Sequence, residues 1–301
     1  MHIPDGFLST PVWAALGAAS AASVGIAARR AERNLQEGSV PLLGVMGAFV
    51  FAAQMINFPV GLGTSGHLLG GALLACTLGP WAATVVMTAI LAVQALVFQD
   101  GGLLALGANV FNMGVAGVFF GYLPFHYWGT SWRRAAAFLG GTLSVLIASS
   151  LALLELRISG VRMPGVVVGI SAGLFAVSAV LEGAITMAAF AAVERINRAW
   201  IHEPAKGNRQ GLGVIAGAAA LLATAGAMLA SSFPDGLEKL AETLGIEDRA
   251  RTLMETPFAD YELQSLENPM IRKAVAGLVG LTCIYLVCLA TGRVLMRRRN
   301  G

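Results

Sequence analysis

The sequence predicts an all-α integral membrane protein of about nine transmembrane helices, seven in one module and two in a second. Three observations lead there. Only 12% of the 301 residues are charged while 56% are hydrophobic. Soluble domains carry about 25% charged residues, so half that share leaves a water-facing surface uncovered. The mean hydropathy is +0.71. The apolar residues also fall in blocks that suit about 30 Å of hydrocarbon, which takes roughly 20 helical residues to cross.

The blocks are separated by basic or turn-forming residues. The first covers about 10–28 and stops at Arg29, Arg30 and Arg33; the second, about 40–57, stops at Asn57-Phe58-Pro59. A shorter block at about 67–79 is closed by Gly79-Pro80, and the next, about 82–98, by Gln99-Asp100-Gly101-Gly102. The fifth is about 103–124, ending at Pro124, with His126, Arg133 and Arg134 beyond it. The sixth and seventh, about 135–155 and 165–194, lead into a basic linker with Arg195, Arg198, Lys206 and Arg209. An eighth block at about 211–231 and a ninth at about 273–293 precede Arg297-Arg298-Arg299.

These basic clusters set orientation. By the positive-inside tendency they face the cytoplasm, which places the amino terminus and the acidic 232–271 segment outside and the carboxy terminus inside. The parity requires the short 67–79 block to count as a crossing. The net charge of +3 is thereby used up at block ends and forms no nucleic-acid face. The linker at about 196–210 divides a module at 1–200 from one at 201–301. Cys76, Cys283 and Cys288 all lie in apolar stretches, where cysteine acts as a small hydrophobe rather than as a disulfide partner or metal thiolate.

The amino terminus begins Met1-His2-Ile3-Pro4-Asp5-Gly6, without the basic start or early cleavage site of a signal peptide. Histidine is too large a second residue for removal of the initiator methionine, so a free α-amine on Met1 is expected. That amine, the backbone nitrogen of His2 and Nδ1 of His2 can chelate one ion in fused five- and six-membered rings. Ni²⁺ and Cu²⁺ favour such tetragonal nitrogen sites. Three donors leave one equatorial place, and His67 is the candidate to fill it. It lies in Gly61-Leu62-Gly63-Thr64-Ser65-Gly66-His67 at the mouth of the third block, and an ionisable residue at membrane depth is a functional candidate by default. Asn57, Thr64, Ser65, Gln94, Asp100, Asn109 and Asn112 collect near the same end and are candidates to hold the ligands in place, Asn112 being the one that more readily reads as an interhelical hydrogen bond. His126 and His202, beside aromatic and basic residues, are expected to be interfacial.

The sequence resembles the substrate-binding component of nickel/cobalt energy-coupling-factor transporters, the NikM/CbiM type. The resemblance rests on Met1-His2-Ile3-Pro4-Asp5-Gly6-Phe7-Leu8, the Gly-Thr-Ser-Gly-His67-Leu-Leu-Gly-Gly stretch, Asp100-Gly101-Gly102-Leu103 and Gly107-Ala108-Asn109 with Asn112-Met113. It covers about residues 1–200. Pro234-Asp235-Gly236-Leu237-Glu238 resembles the motif of the small two-span partner subunit, fused here to the main component. The resemblance implies a seven-helix module whose amino-terminal segment inserts into the protein, with Met1, His2 and His67 supplying metal-binding nitrogens. It also implies a prokaryotic cell-membrane location, a membrane coupling subunit and cytoplasmic ATPases as partners, and Ni²⁺ or Co²⁺ as cargo rather than as a permanent cofactor. Cobalt-type members tend to carry Met-Glu after His-Ile, so Pro4-Asp5 and the Thr-Ser-Gly-His loop lean towards nickel.

The chain contains no G-x-x-x-x-G-K-[ST] phosphate loop, so ATP hydrolysis would fall to other subunits. It also has no H-E-x-x-H helix of a zinc protease. Two rival readings remain at this level: a haem or redox protein with paired histidines, and a channel or secondary carrier without ATPases.

Overall fold

Proline and glycine set the helix starts. Helices α1 (Thr10–Asn34), α2 (Val40–Gln54) and α4 (Pro80–Val93) carry proline in their first turn, where the missing N–H has no intrahelical partner to lose. The protein is described by a computed structural model over residues 1–35, 37–201 and 233–300, together with Gly217, Ala220 and Thr224. All but those three positions of the expected eighth block, and with them Lys206, Arg209 and His202, lie outside the described residues.

The remaining elements follow in order. A hairpin of β1 (Phe58–Gly61) and β2 (Thr64–Gly66) is the one sheet among the described residues. Helix α3 (Gly71–Leu78) comes next, and α4 runs on as a π-helical turn, Gln94–Phe98. Helix α5 (Leu106–Asn109), a π-helical stretch Val110–Ala116 and α6 (Gly117–Trp128) form one continuous span. Helices α7 (Arg133–Ile158) and α8 (Gly165–Ile196) form an antiparallel pair. Beyond the linker come the short α9 (Gly236–Leu244) and the long α10 (Pro269–Asn300). Among the described residues six helices are long and apolar enough to cross a membrane, and α2 is a shorter apolar helix.

Two elements differ from the expected blocks. Pro124 does not end its helix; α6 continues to Trp128 with the proline inside it. The 67–79 block is helical only over Gly71–Leu78, which rises about 12 Å. Non-helical residues 67–70 precede it, and together they carry the chain from the hairpin to the start of α4. The block is short because its first residues are tied down by side chains from other helices.

The bundle has a large apolar centre around Met46, Phe51, Leu73, Met87, Ile90 and Phe98. A smaller cluster at one end joins Ile3, Phe7, Leu8, Ala108, Leu156 and Leu240. Helix α10 packs along α2, and α9 packs on α8. Large apolar side chains remain on the outer walls, among them Ile26, Leu154, Val177 and Leu286. A surface of that kind suits hydrocarbon, where it costs nothing to leave uncovered. The basic ends gather at the opposite end of the bundle from the small cluster: Arg30 lies over the Trp81 ring at 5.7 Å, and Arg133 and Arg134 both reach Glu194.

Candidate metal centre

The amino-terminal segment enters the bundle at the end away from the basic clusters, and hydrogen bonds to its backbone hold it there. Asn109 accepts from the Ile3 N–H at 2.8 Å and donates from Nδ2 to the Ile3 carbonyl at 3.0 Å, while Gly102 N–H also donates to that carbonyl at 2.9 Å. The Asp5 carboxylate accepts from the N–H groups of Leu103, Leu104 and Ala105 at 2.9, 2.8 and 3.0 Å. Only glycine fits at 102, because a Cβ there would stand 2.1 Å from Asp5 Oδ1 and 2.4 Å from the Asp5 nitrogen. Ile3 is fully buried by this docking.

Docking brings the three expected nitrogen-bearing residues together. The Met1 nitrogen lies 2.7 Å from His67 Nε2. The His2 and His67 rings stack with centroids 5.4 Å apart and planes 13° apart, which leaves no room for a porphyrin between them. His67 Nδ1 faces the Leu68 carbonyl at 3.0 Å. A carbonyl can only accept, so Nδ1 carries the ring proton and Nε2 keeps its lone pair. Burial, followed by the Met1 ammonium and His2, pushes the His67 imidazole down to about 4, so it is neutral at physiological pH. A neutral imidazole is a metal donor.

Each of the other two donors is held by a carboxylate. His2 Nδ1 donates to Asp100 Oδ1 at 2.9 Å, while Nε2 is buried with no partner among the described residues. Chelation through Nδ1 therefore requires it to exchange Asp100 for the ion. The Met1 ammonium pairs with Asp235, from the Pro-Asp-Gly-Leu-Glu motif. Asp235 also caps α9, its Oδ1 accepting from Leu237 and Glu238 N–H at 2.7 and 2.9 Å, while Glu238 returns a bond to the Asp235 N–H. Burial opposes the charge on both carboxylates. Even so, the Met1 ammonium and His67 hold Asp235 below the usual carboxylate range, and His2 with the Tyr261 hydroxyl does the same for Asp100. Burial and Asp100 together raise the Tyr261 phenol well above its ordinary value.

The other expected residues take several parts. Asp100, Asn109 and Gln94 are part of the site's framework. Gln94 Nε2 bonds Gln54 Oε1 at 2.9 Å and Tyr261 OH at 3.1 Å, and Tyr261 donates to Asp100 Oδ2 at 2.5 Å. Ser65 clasps the second module, its N–H and hydroxyl donating to the carbonyls of Pro234 and Phe233 at 2.8 and 2.7 Å. Asn57 lines the cavity over the nitrogens. Thr64, by contrast, lines a separate groove with Val167 and Ile170, and Asn112 bonds Glu155 deeper in the bundle. His126 is exposed at the far end of α6, against Tyr122 and Tyr127.

The residues that sequence reasoning missed are Asp235, Tyr261, Gln54 and Glu182. Asp235 carried a legible capping signature with Glu238 three residues on. Glu182 stood out as the carboxylate in the middle of the seventh apolar block, whose other one, Glu194, sits at its end. The cavity above the nitrogens, about 540 Å³, is walled on one side by Pro234, Asp235, Leu237, Glu238 and Tyr261. The second module thus roofs the site built by the first.

An all-helical bundle with lipid-facing walls and a nitrogen-rich pocket at one end belongs to the class of membrane proteins that handle transition-metal ions. Comparison with known proteins narrows this. The chain belongs to the CbiM family, described as the cobalt uptake substrate-specific transmembrane region, which matches residues 2–200; a PDGLE domain matches residues 209–297. A protein of Archaeoglobus fulgidus assigned as a fused nickel transport protein, NikMN, is 35% identical over 99% of this chain and 98% of its own length. A protein of Haloquadratum walsbyi assigned to metal transport is 42% identical over 62% of this chain and 86% of its own. A crystal structure of a transition metal transporter shares the fold with a TM-score of 0.59 and 33% identity, over 66% of this chain and 94% of that one. The chain is accordingly a nickel/cobalt transport component of the membrane.

Proposed function

We propose that this chain captures Ni²⁺ at the outer membrane face for an ATP-driven importer, through the Met1 amine, the His2 backbone nitrogen, His2 Nδ1 and His67 Nε2. The observation that carries the reading is the 2.7 Å between the Met1 nitrogen and His67 Nε2. Two nitrogens each about 2.0 Å from an ion and at right angles to one another stand about 2.8 Å apart, the edge of a square. The tautomer of His67 aims a lone pair at that edge. The name of the A. fulgidus relative supports nickel over cobalt, as does the Pro4-Asp5 sequence.

Import against a gradient needs energy, and the sequence carries no phosphate loop to supply it. A membrane coupling subunit and cytoplasmic ATPases are the partners this reading requires. The outward position of the site follows from the basic clusters at the opposite end of the bundle. The test is to extend the chain by one residue before Met1. Every side chain is kept, but the amine is moved, so high-affinity Ni²⁺ binding is expected to be lost in calorimetric titration. Undiminished affinity in the extended protein overturns the site. Uptake that persists in cells without any coupling ATPase overturns the importer.

A further inference from the structure

We infer that Glu182, inside α8, is a positioning residue for His67 that acts through a single peptide group. The inference deepens the reading of His67 as a nickel ligand and rests on it. Glu182 is fully buried, and its two oxygens accept from consecutive backbone N–H groups: Oε2 from Leu69 at 2.7 Å and Oε1 from Gly70 at 2.9 Å. The Leu69 N–H belongs to the same peptide group as the Leu68 carbonyl, and that carbonyl accepts from His67 Nδ1 at 3.0 Å. Carboxylate, amide, carbonyl and imidazole therefore stand in series, ending at the lone pair of Nε2.

Metal-binding histidines commonly give their second ring N–H to a carboxylate or to a backbone carbonyl, which fixes the tautomer and raises basicity. Here one feeds the other. An anion at the N–H end of a peptide group draws negative charge onto its oxygen, which strengthens the bond to Nδ1–H and enriches Nε2 as a donor. The backbone is shaped for this arrangement. Gly70 has φ +76°, which turns the chain from these two N–H groups into α3, and a Cβ there would meet Val50 Cγ1 at 2.4 Å. The next peptide is pinned as well, since Gln54 Nε2 donates to the Leu69 carbonyl at 2.8 Å. An ionisable group at membrane depth is expensive and rarely kept without a function. A simple cap for the eight-residue α3 needs no buried carboxyl group.

The test uses the full chain in lipid nanodiscs, with Ni²⁺ as the probe. Glu182→Gln keeps the size but replaces one acceptor oxygen by an NH₂ donor. Its Ni²⁺ affinity should fall about tenfold, and the ligand-field absorption band of the bound ion should move to longer wavelength, since a poorer donor splits the d orbitals less. A lowered melting temperature with unchanged band and affinity makes Glu182 a structural cap and overturns the inference. Should the variant fail to fold, ¹⁵N NMR of histidine-labelled wild-type protein decides. A proton on His67 Nδ1 is expected, and a proton on Nε2 overturns it. His67→Ala separates the two levels: retained binding there removes the ligand reading itself, whereas lost binding beside an unaltered Glu182→Gln removes only this inference.

Discussion

Replacing Asn109 with alanine tests whether docking of the amino terminus and capture of the ion are one event. Asn109 is 2% exposed and holds Ile3 on both sides. After truncation the Ile3 carbonyl keeps the bond from Gly102, but the Ile3 N–H is left buried without an acceptor. An orphaned buried donor costs about 1–3 kcal/mol. All of that cost falls on the docked state, because an undocked segment meets water. At about 2 kcal/mol, docking weakens roughly 30-fold. If the undocked population remains small, the docked state absorbs the loss and affinity barely changes; if docking is nearly balanced, Ni²⁺ affinity falls by most of that factor. Residues 1–5 are held by short polar contacts around one fully buried apolar side chain, Ile3, so the second case is expected. Calorimetric titration of Ni²⁺ against the wild type, Asn109→Ala and Asn109→Asp measures it. Aspartate keeps an acceptor for the Ile3 N–H and should recover part of the loss. Equal affinity in all three proteins would refute the linkage between the Ile3 clamp and the metal site.

Other perturbations follow from the same geometry. Gly102→Ala drives a Cβ into Asp5 and should weaken Ni²⁺ binding by roughly fivefold to 150-fold, the equivalent of about 1–3 kcal/mol of overpacking, with the helical bundle intact by circular dichroism. Tyr261→Phe keeps the ring stacked on Phe98 at 4.8 Å but takes the hydroxyl from Asp100; about tenfold weaker binding is expected, and unchanged binding would show that Asp100 needs no second partner. Acidification should loosen the site. His67 has its proton affinity lowered by burial, so its contribution to stability is complete above its ordinary value near 6.5 and is lost as pH falls towards about 4. Thermal melting from pH 7 to 4 should show this loss, and His67→Gln should flatten that part of the profile.

The spans were legible because hydropathy and end punctuation both derive from the bilayer, which acts on each segment separately. The three nitrogen-bearing residues were legible for a different reason: Met1 and His2 are adjacent, and His67 is a rare residue type at a membrane mouth. What could not be read was how segments distant in sequence meet. Asp235 announced itself as a helix cap, but nothing local says that its second oxygen meets the Met1 ammonium. Gln54 and Gln94 lie 40 residues apart and meet only once α2 and α4 are packed. Thr64 and Ser65 show the opposite failure. Neighbours in sequence, they alternate across a strand, so Ser65 faces the second module's Phe233 and Pro234 while Thr64 faces away into another groove.

The carboxylates around the site bear on which ions it would refuse. Mg²⁺ and Ca²⁺ take oxygen ligands, six or more for calcium, and an acidic pocket would ordinarily attract both. Here the acidic oxygens nearest the nitrogens are already engaged: Asp235 by the Met1 amine and two N–H groups, Asp100 by His2 and Tyr261, Asp5 by three N–H groups. A hard cation could recruit them only by breaking those bonds and undocking the amino terminus. Ni²⁺ meets a different balance. Under the proposed four-nitrogen assignment it needs Met1 and His2 to release their carboxylates, but it repays that with nitrogen bonds at a square whose one edge is the Met1–His67 pair. Millimolar Mg²⁺ or Ca²⁺ should therefore leave the Ni²⁺ titration unchanged in the wild type. Competition by either ion at those concentrations would mean that Asp100 and Asp235 are ligands themselves, and that the four-nitrogen assignment is wrong.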